Sequence, residues 1–388
     1  MIVRASQRPA TDYSRDESVV IRDFDLHGLL GIRLIGATDH DAAAVARQLG
    51  PMQSTLGREP DITIRFVRHL PTPVRMRHLG THEVGYTETG FWILQGKRQS
   101  AVRVMLPWAD IGQPCEIVCQ SGLPAVPLLI PIINLALLGK GIIAMHASAF
   151  VYHGVGTLVT GWSKGGKTET LLTLMAAGAE YVGDEWVYIG PEGRTFHGIP
   201  EPVRLWDWHL RELPCYRRHV GWQERGRLRM IAAARTVGRW LFRRREGHSR
   251  AATLVRQVDS LLARQLCVDV APHRLFRRTA KSLSGPFDRL LFLGVHASPD
   301  IVVTPTDPSE VAQRMVHSLQ EERAPLLSAY RMYRFACPES RNRLIEDSED
   351  VQRHLLIRLL RNKPAYDVLH PYPFDLRTLF DKIEELCR

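Results

Sequence analysis

A short glycine-rich segment holds the residues of this sequence whose types and spacing most clearly suggest chemistry. Residues Gly161–Thr168 read GWSKGGKT and match the pattern G-x-x-x-x-G-K-[ST] at every fixed position. Glycines let backbone N–H groups approach phosphate oxygens, and a helix that begins at the loop directs its positive dipole end at them. In this pattern Lys167 reaches the β- and γ-phosphates, and the hydroxyl of Thr168 binds Mg²⁺. The residues predicted to bind the nucleotide are Gly161, Ser163, Lys164, Gly165, Gly166, Lys167, Thr168 and Glu169.

Further residues with catalytic potential lie close to this loop in the sequence. Asp184 and Glu185 follow Gly161 by 23 and 24 residues, at the predicted end of a strand, and His146 precedes it by fifteen. A carboxylate pair at that place can hold Mg²⁺ and accept a proton from an attacking hydroxyl. Structural roles are the alternative, with Glu169 complementing the helix dipole and His146 a hydrogen-bonded core histidine. The predicted catalytic residues are His146, Lys167, Asp184 and Glu185, and the predicted metal ligands are Thr168 and Asp184.

The elements predicted around the loop are those that this chemistry requires. Apolar runs predict strands at Ile142–Met145 and Gly156–Thr160, and a helix at Lys167–Ala177 follows the loop. A further strand at Tyr181–Gly183 then runs into the acidic pair. Strand, glycine loop and helix in this order are typical of α/β proteins. The sequence therefore predicts a site at the end of a strand, facing the first turn of a helix.

Residues 142–190, which include HASAF, GVGTLVTGWSKGGKTET and GAEYVGDEWV, resemble the kinase core of the HPr serine kinase/phosphorylases. That family shares a phosphate-loop fold with the phosphoenolpyruvate carboxykinases. The resemblance implies a P-loop core of this type, in which ATP with Mg²⁺ phosphorylates a serine hydroxyl of a small carrier protein. It also implies that Glu185, at the second acid of the family's Asp-Asp pair, accepts the proton. His146, Lys167 and Thr168 stand at the family's matching positions.

Three departures from the family pattern bear on the substrate. Glu185 replaces the Asp that acts as the catalytic base in the family and moves the carboxylate by one methylene, which alters the attack geometry. The downstream L-E-x-R-G-x-G signature, which supplies a further metal-binding Glu, is absent, and Glu201 is the nearest acid in that region. The family's substrate-side catalytic Arg has no clear counterpart, and Arg204 and Arg274 are the candidates. We therefore predict a relative of HPr kinase that acts on something other than HPr.

Basic residues are concentrated in one part of the chain. The 388 residues include 51 Lys plus Arg, of which 44 are Arg, and 41 Asp plus Glu, for a net charge of +10. Residues 201–281 hold 19 basic and 7 acidic side chains and four of the eight Trp, so they carry +12. This pattern predicts an Arg-rich helical insertion that is either a solvated subdomain or a surface for an acidic peptide or protein, nucleic acid or lipid. Nucleic acid is disfavoured, because no zinc-finger, helix-turn-helix or RNA-recognition signature is present.

Length and composition indicate a globular protein of two or three domains. Hydrophobic residues make up 45% and charged residues 24%, which excludes general disorder. Six scattered cysteines exclude a disulfide framework, and the most lipophilic stretch, 125–139, is too short and interrupted to span a membrane, so we expect a cytoplasmic protein.

Asp307 begins a helix predicted to end near Leu319. The predicted parts of this α/β fold are an N-terminal mixed α/β domain (1–138), the P-loop core (139–338) with the Arg-rich helical insertion (201–281), and C-terminal helices (339–388).

The residues and the resemblance together predict an ATP- and Mg²⁺-dependent kinase that phosphorylates a hydroxyl, either Ser or Thr, of a peptide or small protein. A ribosomally made precursor peptide is one such acceptor. Two alternatives stay open. A small-molecule kinase would line its acceptor pocket from the first domain. A non-catalytic, ATP-gated binding protein would have lost catalysis through the change at Asp184–Glu185 and would act through the Arg-rich segment. The acceptor, a homo-oligomeric state and a reverse phosphorylase activity are all left open.

Overall fold

The computed structural model describes residues 20–88, 90–95, 101–243, 258–276, 278–279 and 281–388. Within these residues the chain forms a mixed α/β structure with four β-sheets, of eight, six, four and two strands. The α/β class predicted from the sequence is therefore confirmed. Part of the predicted Arg-rich insertion, residues 244–257, lies outside the described residues.

The N-terminal part of the chain forms the eight-stranded sheet. Its strands are β1 (Ile21–Leu26), β2 (Leu30–Ile35), β3 (Ile62–Val67), β4 (Arg77–Leu79), β5 (Val84–Tyr86), β6 (Phe91–Gln95), β7 (Ala101–Met105) and β8 (Cys115–Gln120). Their order is β1-β2-β3-β8-β7-β6-β5-β4, and β3 is parallel to both β2 and β8. Burial alternates along β3, as expected for a strand with one face on the core.

The remaining strands form the sheets around the glycine loop. They are β9 (Ile143–His146), β10 (Ser148–Tyr152), β11 (Val155–Gly161), β12 (Glu180–Gly183), β13 (Trp186–Ile189), β14 (Thr195–Gly198), β15 (Val203–Trp206), β16 (Cys267–Val270), β17 (Ser284–Pro286), β18 (Arg289–Val295), β19 (Val302–Pro305) and β20 (Ala365–His370). The six-stranded sheet has the order β12-β10-β11-β18-β20-β19, and the four-stranded sheet β17-β14-β13-β9. Strands β11, β18 and β20 are parallel, so their carboxyl ends meet at one edge.

Helices cover these sheets and connect their strands. They are α1 (Asp39–Leu49), α2 (Leu129–Gly139), α3 (Lys167–Ala176), α4 (Asp207–Glu212), α5 (Trp222–Arg243), α6 (described over 258–264), α7 (Pro272–Leu275), α8 (Pro308–Ala336), α9 (Arg343–Glu346), α10 (Ser348–Leu360) and α11 (Leu376–Ile383). Short 3₁₀ turns lie at Pro214–His219, Lys281–Leu283 and Glu385–Cys387. Helix α3 directly follows β11 and the loop, which confirms the predicted order of strand, glycine loop and helix.

Helix α2 lies in the middle of the hydrophobic core. Its sequence LIPIINLALLG is apolar on nearly all sides, and eight of its residues are buried. It contacts β2, β9, α8 and α10, and one cluster of buried side chains extends from Phe24 in β1 to Ala365 in β20. The predicted boundary at residue 138 therefore falls at the end of a helix that packs on both neighbouring parts. Among the described helices, none is both long and apolar enough to cross a membrane.

Helix α8 is longer than the sequence predicts. It does not end near Leu319 but continues through Pro325 to Ala336. A proline inside a helix removes one backbone hydrogen bond. Buried side chains on both sides of it, such as Leu326 and Tyr330, keep the helix packed on the core and offset that loss.

Two segments that were predicted to be helical also contain strands. In the Arg-rich segment 201–281, β15 and β16 pair antiparallel and bring Arg204 opposite Asp269, with 2.8 Å between Nε and Oδ1. In the C-terminal segment 339–388, β20 joins the six-stranded sheet between β18 and β19. Buried and partly exposed residues do not alternate regularly along β20, whose sequence is AYDVLH. The period of two by which a strand is predicted from sequence is therefore missing here.

Asn342 joins the C-terminal helices to the loop between β7 and β8. Its buried Nδ2 donates to the carbonyl oxygens of Trp108 (2.9 Å) and Ile111 (2.8 Å). Its Oδ1 accepts from the N–H of Ile345 (3.1 Å) and caps α9. One buried amide thus satisfies polar groups of two distant segments.

We expect Asn342→Ala to lower the free energy of unfolding by about 2–4 kcal/mol, because buried carbonyl oxygens lose their donor and α9 loses its cap. Urea unfolding followed by circular dichroism measures this change. Arg341→Ala, an exposed neighbour, is the control and should change stability by no more than about 0.5 kcal/mol. Equal stability of the two variants would contradict the role given to Asn342.

Candidate functional site

The phosphate-loop pattern forms a tight turn between β11 and α3. Gly161 has a φ of 147°, and a Cβ atom there would lie 2.5 Å from the carbonyl oxygen of Leu293 in β18. Gly166 has a φ of 97°, and a Cβ atom there would lie 2.8 Å from Nε2 of His370. Both positions therefore require glycine, for conformation and for space. The loop is a cradle that any side chain at these two positions would fill.

Lys167, the first residue of α3, is turned back onto the loop. It is 7% exposed, and its Nζ donates to the carbonyl oxygens of Trp162 (3.0 Å) and Gly161 (3.4 Å). Burial lowers the pKa of Lys167, whereas the carboxylates of Glu185 and Asp184 act in the opposite direction. The ammonium therefore lies at the centre of the cradle, close to the acidic pair. The exposed tip of the loop consists of Trp162, Ser163 and Lys164.

Asp184 connects the end of β12 to α3 and β10. Its Oδ2 accepts a hydrogen bond from Oγ1 of Thr168 (3.1 Å), and its Oδ1 accepts one from the hydroxyl of Ser148. Burial, and secondly the charge of Glu185, raise the pKa of Asp184 to about 6. The structure thus brings together the two residues predicted to bind metal. Carboxylate and hydroxyl oxygens are ligands that suit Mg²⁺.

Glu185 occupies a strained turn between β12 and β13. Its φ is 71°, and the N–H of Trp186 donates to the carbonyl oxygen of Asp184 (3.0 Å) across it. A three-residue turn with positive φ at its centre is rare and costs energy, and such strain is concentrated at functional sites. The N–H of Ala147 donates to the carbonyl oxygen of Glu185 (3.1 Å) and helps to hold the turn. Because its side chain is 53% exposed, the carboxylate is accessible from solvent.

His146 lies between two carboxylates. Its Nε2 is 3.0 Å from Oε2 of Glu185, and its Nδ1 is 2.9 Å from Oε1 of Glu322 in α8. Burial alone lowers the pKa of His146, but the two carboxylates outweigh this effect and raise it to about 9. The same contact with His146 lowers the pKa of Glu185. The predicted pair His146 and Glu185 is therefore in contact, and Glu322 is an addition that the sequence did not indicate.

Glu169 contacts a histidine of the Arg-rich segment. Its Oε1 accepts from Nε2 of the buried His209 in α4 (3.1 Å). The N–H of Trp206 donates to Nδ1 of the same ring (3.2 Å), which fixes the proton on Nε2. Glu169, which was predicted to bind the nucleotide, thus connects α3 to the Arg-rich segment.

His370 supports the loop from β20. Its Nε2 is 2.9 Å from the carbonyl oxygen of Gly165, its Nδ1 is 2.7 Å from that of Pro371, and the ring is 1% exposed. Both nitrogens therefore face backbone carbonyl oxygens, which hold the ring against the loop. His370, like Glu322 and His209, was missed because no local spacing connects it to the loop.

Glu201 lies near the acidic pair. Its buried Oε2 has no hydrogen-bond partner among the residues that the structure describes, and burial together with the charges of Glu185 and Asp184 raises its pKa to about 8. Within the described parts of the chain, no group of three or more His, Cys, Asp or Glu side chains is arranged to hold a metal ion. A metal bound by Thr168 and Asp184 would therefore take its other ligands from water and phosphate oxygens, as Mg²⁺ commonly does.

We expect Gly166→Ala to destabilise the fold more than Gly178→Ala. Both glycines have positive φ (97° and 103°), so the backbone alone costs about 1–2 kcal/mol in each variant. Among the described residues, a Cβ atom at 178 meets nothing within 4 Å, whereas at 166 it meets the buried ring of His370. Urea unfolding should therefore show about 1–3 kcal/mol of additional loss for Gly166→Ala. Equal losses would contradict the close approach of His370 to the loop.

The structure brings His146, Lys167, Thr168, Asp184 and Glu185 together at the carboxyl end of β11. No protein-family model matches this chain, and no curated protein matches it significantly in sequence. The geometry of these five side chains is therefore the main ground on which a function can be assigned.

Proposed function

We propose that this chain is an ATP- and Mg²⁺-dependent kinase with a P-loop core of the HPr kinase and phosphoenolpyruvate carboxykinase type. It would transfer the γ-phosphoryl group to a Ser or Thr hydroxyl of a peptide or small protein. The observation that carries the proposal is the convergence of a glycine cradle, a buried lysine and a carboxylate pair at one strand end. ATP as the co-substrate also fits a cytoplasmic location.

The glycine cradle is suited to bind the phosphates of ATP. Backbone N–H groups of the loop and the first turn of α3 point toward bound anions, and the helix dipole adds to their attraction. Lys167 contributes a cation at the centre of the cradle, where its Nζ donates to the carbonyl oxygens of Trp162 and Gly161. Thr168 and Asp184 would hold Mg²⁺, which neutralises charge on the phosphates.

Glu185 is suited to accept the proton of the attacking hydroxyl. The hydroxyl oxygen bonds to the γ-phosphorus, its proton passes to the Glu185 carboxylate, and the bond from the γ-phosphorus to the bridging oxygen breaks to release ADP. The hydrogen bond from His146 (3.0 Å) holds the carboxylate in place and favours its ionised form. Because the carboxylate is half exposed, an acceptor can reach it from solvent.

The neighbourhood of the site favours an acceptor with negative charge. Strand β15 begins two residues after Glu201, and it carries Arg204, whose charge contributes to the lowered pKa of Glu185. The segment 201–281, which supplies this strand, carries 19 basic and 7 acidic residues. An acidic peptide or small protein is therefore the acceptor class that we propose.

We expect Lys167→Ala and Glu185→Gln to abolish transfer in different ways. Lys167→Ala should weaken ATP binding and lower transfer by at least about 100-fold, because a cation at the phosphates is lost. Glu185→Gln should bind ATP normally but lower transfer by about 10²–10⁴-fold, because the proton acceptor is lost. The measurements are isothermal titration with ATP and Mg²⁺, and transfer of labelled phosphate from ATP to a cellular peptide extract, with acceptors identified by mass spectrometry.

Lys382→Ala and Glu180→Gln are the matched controls, since both side chains are exposed and lie outside the proposed site. Labelling of acceptors that survives both site substitutions would disprove the proposal. Tight ATP binding by the wild type without any transfer would instead favour the ATP-gated binding protein. Transfer to a single metabolite and to no peptide would favour a small-molecule kinase.

We expect the rate of transfer to fall as the pH rises through about 9. The carboxylates raise the pKa of His146 to about 9, so its imidazolium is present at neutral pH and loses a proton at alkaline pH. Its hydrogen bond to Glu185 then weakens. The turnover number measured from pH 6.5 to 10.5 with saturating ATP should show this decline, and His146→Gln should lack it. An identical alkaline decline in His146→Gln would assign it to another group, such as Lys167.

A further inference from the structure

We propose that Glu322, in the middle of α8, is the positioning residue that fixes the ring of His146 so that Nε2 faces Glu185. This inference rests on the proposed kinase function for its kinetic consequence, but not for its structural claim. Glu322 is 137 residues beyond Glu185 in the chain, and no sequence pattern connects them.

The contacts of His146 define the arrangement. The imidazole has two nitrogens, and the bond made by one decides where the other points. Nε2 is 3.0 Å from Oε2 of Glu185, and Nδ1 is 2.9 Å from Oε1 of Glu322. Ionised carboxylates can only accept, so both nitrogens must carry a proton for both contacts to be favourable. The ring is then a cation between two anions.

The surroundings of the ring make Glu322 necessary. His146 is 8% exposed, and the ring of Trp186 lies 5.7 Å from it between centroids. Without Glu322, the buried imidazolium would lose one of the two carboxylates that balance its charge, and the free energy of that loss would favour rotation of the ring or its deprotonation. Either change weakens the contact with Glu185. Other charged groups that act on the ring or respond to it are Lys167, which opposes its protonation, and Glu201.

Helix α8 holds Glu322 in place. Leu319 and Leu326, on either side of it, are buried at 3% and 0% exposure. The adjacent Arg323 is also buried and donates from Nη2 to Oε1 of Gln352 in α10 (3.2 Å). The backbone at Glu322 is therefore anchored to the core, while its own side chain remains about one-third exposed at the edge of the site. A carboxylate on such a support can orient a neighbouring ring precisely enough for catalysis.

The kinetic test compares Glu322→Gln and Glu322→Ala with Glu321→Gln, a control at the exposed neighbouring position of the same helix. We expect the turnover number of both Glu322 variants to fall by about tenfold to 100-fold, while the KM for ATP changes less than about twofold. The alkaline decline in rate should also move to lower pH. Glu322→Asp, which keeps the charge, should recover part of the activity. Wild-type rates in Glu322→Gln and Glu322→Ala would overturn the proposal.

A structural test separates this inference from the kinase proposal. In ¹⁵N-histidine spectra of the protein without nucleotide, His146 is assigned by its absence in His146→Gln. We expect both of its nitrogens to be protonated at pH 7.5 in the wild type, and the titration midpoint to fall by at least about one pH unit in Glu322→Gln. An unchanged midpoint would overturn the role of Glu322. A shifted midpoint in a protein that transfers no phosphate would retain it and reject the kinase function.

Discussion

One carboxylate, that of Asp184, connects the parts of the molecule on which the site depends. It accepts hydrogen bonds from Ser148 in β10 and from Thr168 in α3, and it directly follows β12. Its side chain is 4% exposed, so the charged form loses most of its hydration, and hydroxyl donors offset part of that cost. Through this group, the helix that begins with Lys167 is held in register with the strand end that presents Glu185.

The acidic pair illustrates how one fold gives two adjacent carboxylates different properties. Burial raises the pKa of Asp184, whereas the contact with His146 lowers that of Glu185. The positive φ of Glu185 makes this possible, because the strained turn sends the two side chains in different directions. One is enclosed against Thr168 and the other is open to solvent. Environments that push the pKa values of neighbouring groups apart are a common basis for dividing chemical roles.

The sequence allowed prediction of the parts of the site that are local. The loop, α3 and the pairing of Asp184 with Thr168 follow from glycine spacing and from strand–loop–helix order, which act over short distances. Glu322, His209 and His370 could not be predicted, because tertiary packing alone brings α8, α4 and β20 to the loop. The same limit explains why α8 was predicted too short, since burial of side chains beyond its proline decides its length.

The support of the loop by His370 has a consequence for how the protein matures. Gly165 and His370 are 205 residues apart, and β20 lies between β18 and β19 in its sheet, parallel to β18. Contacts of such high sequence separation are slow to form, because a long chain segment must first be closed into a loop. During synthesis, β11 and α3 leave the ribosome long before β20. The nascent chain therefore carries an unsupported loop, and a competent site can arise only after β20 has been translated.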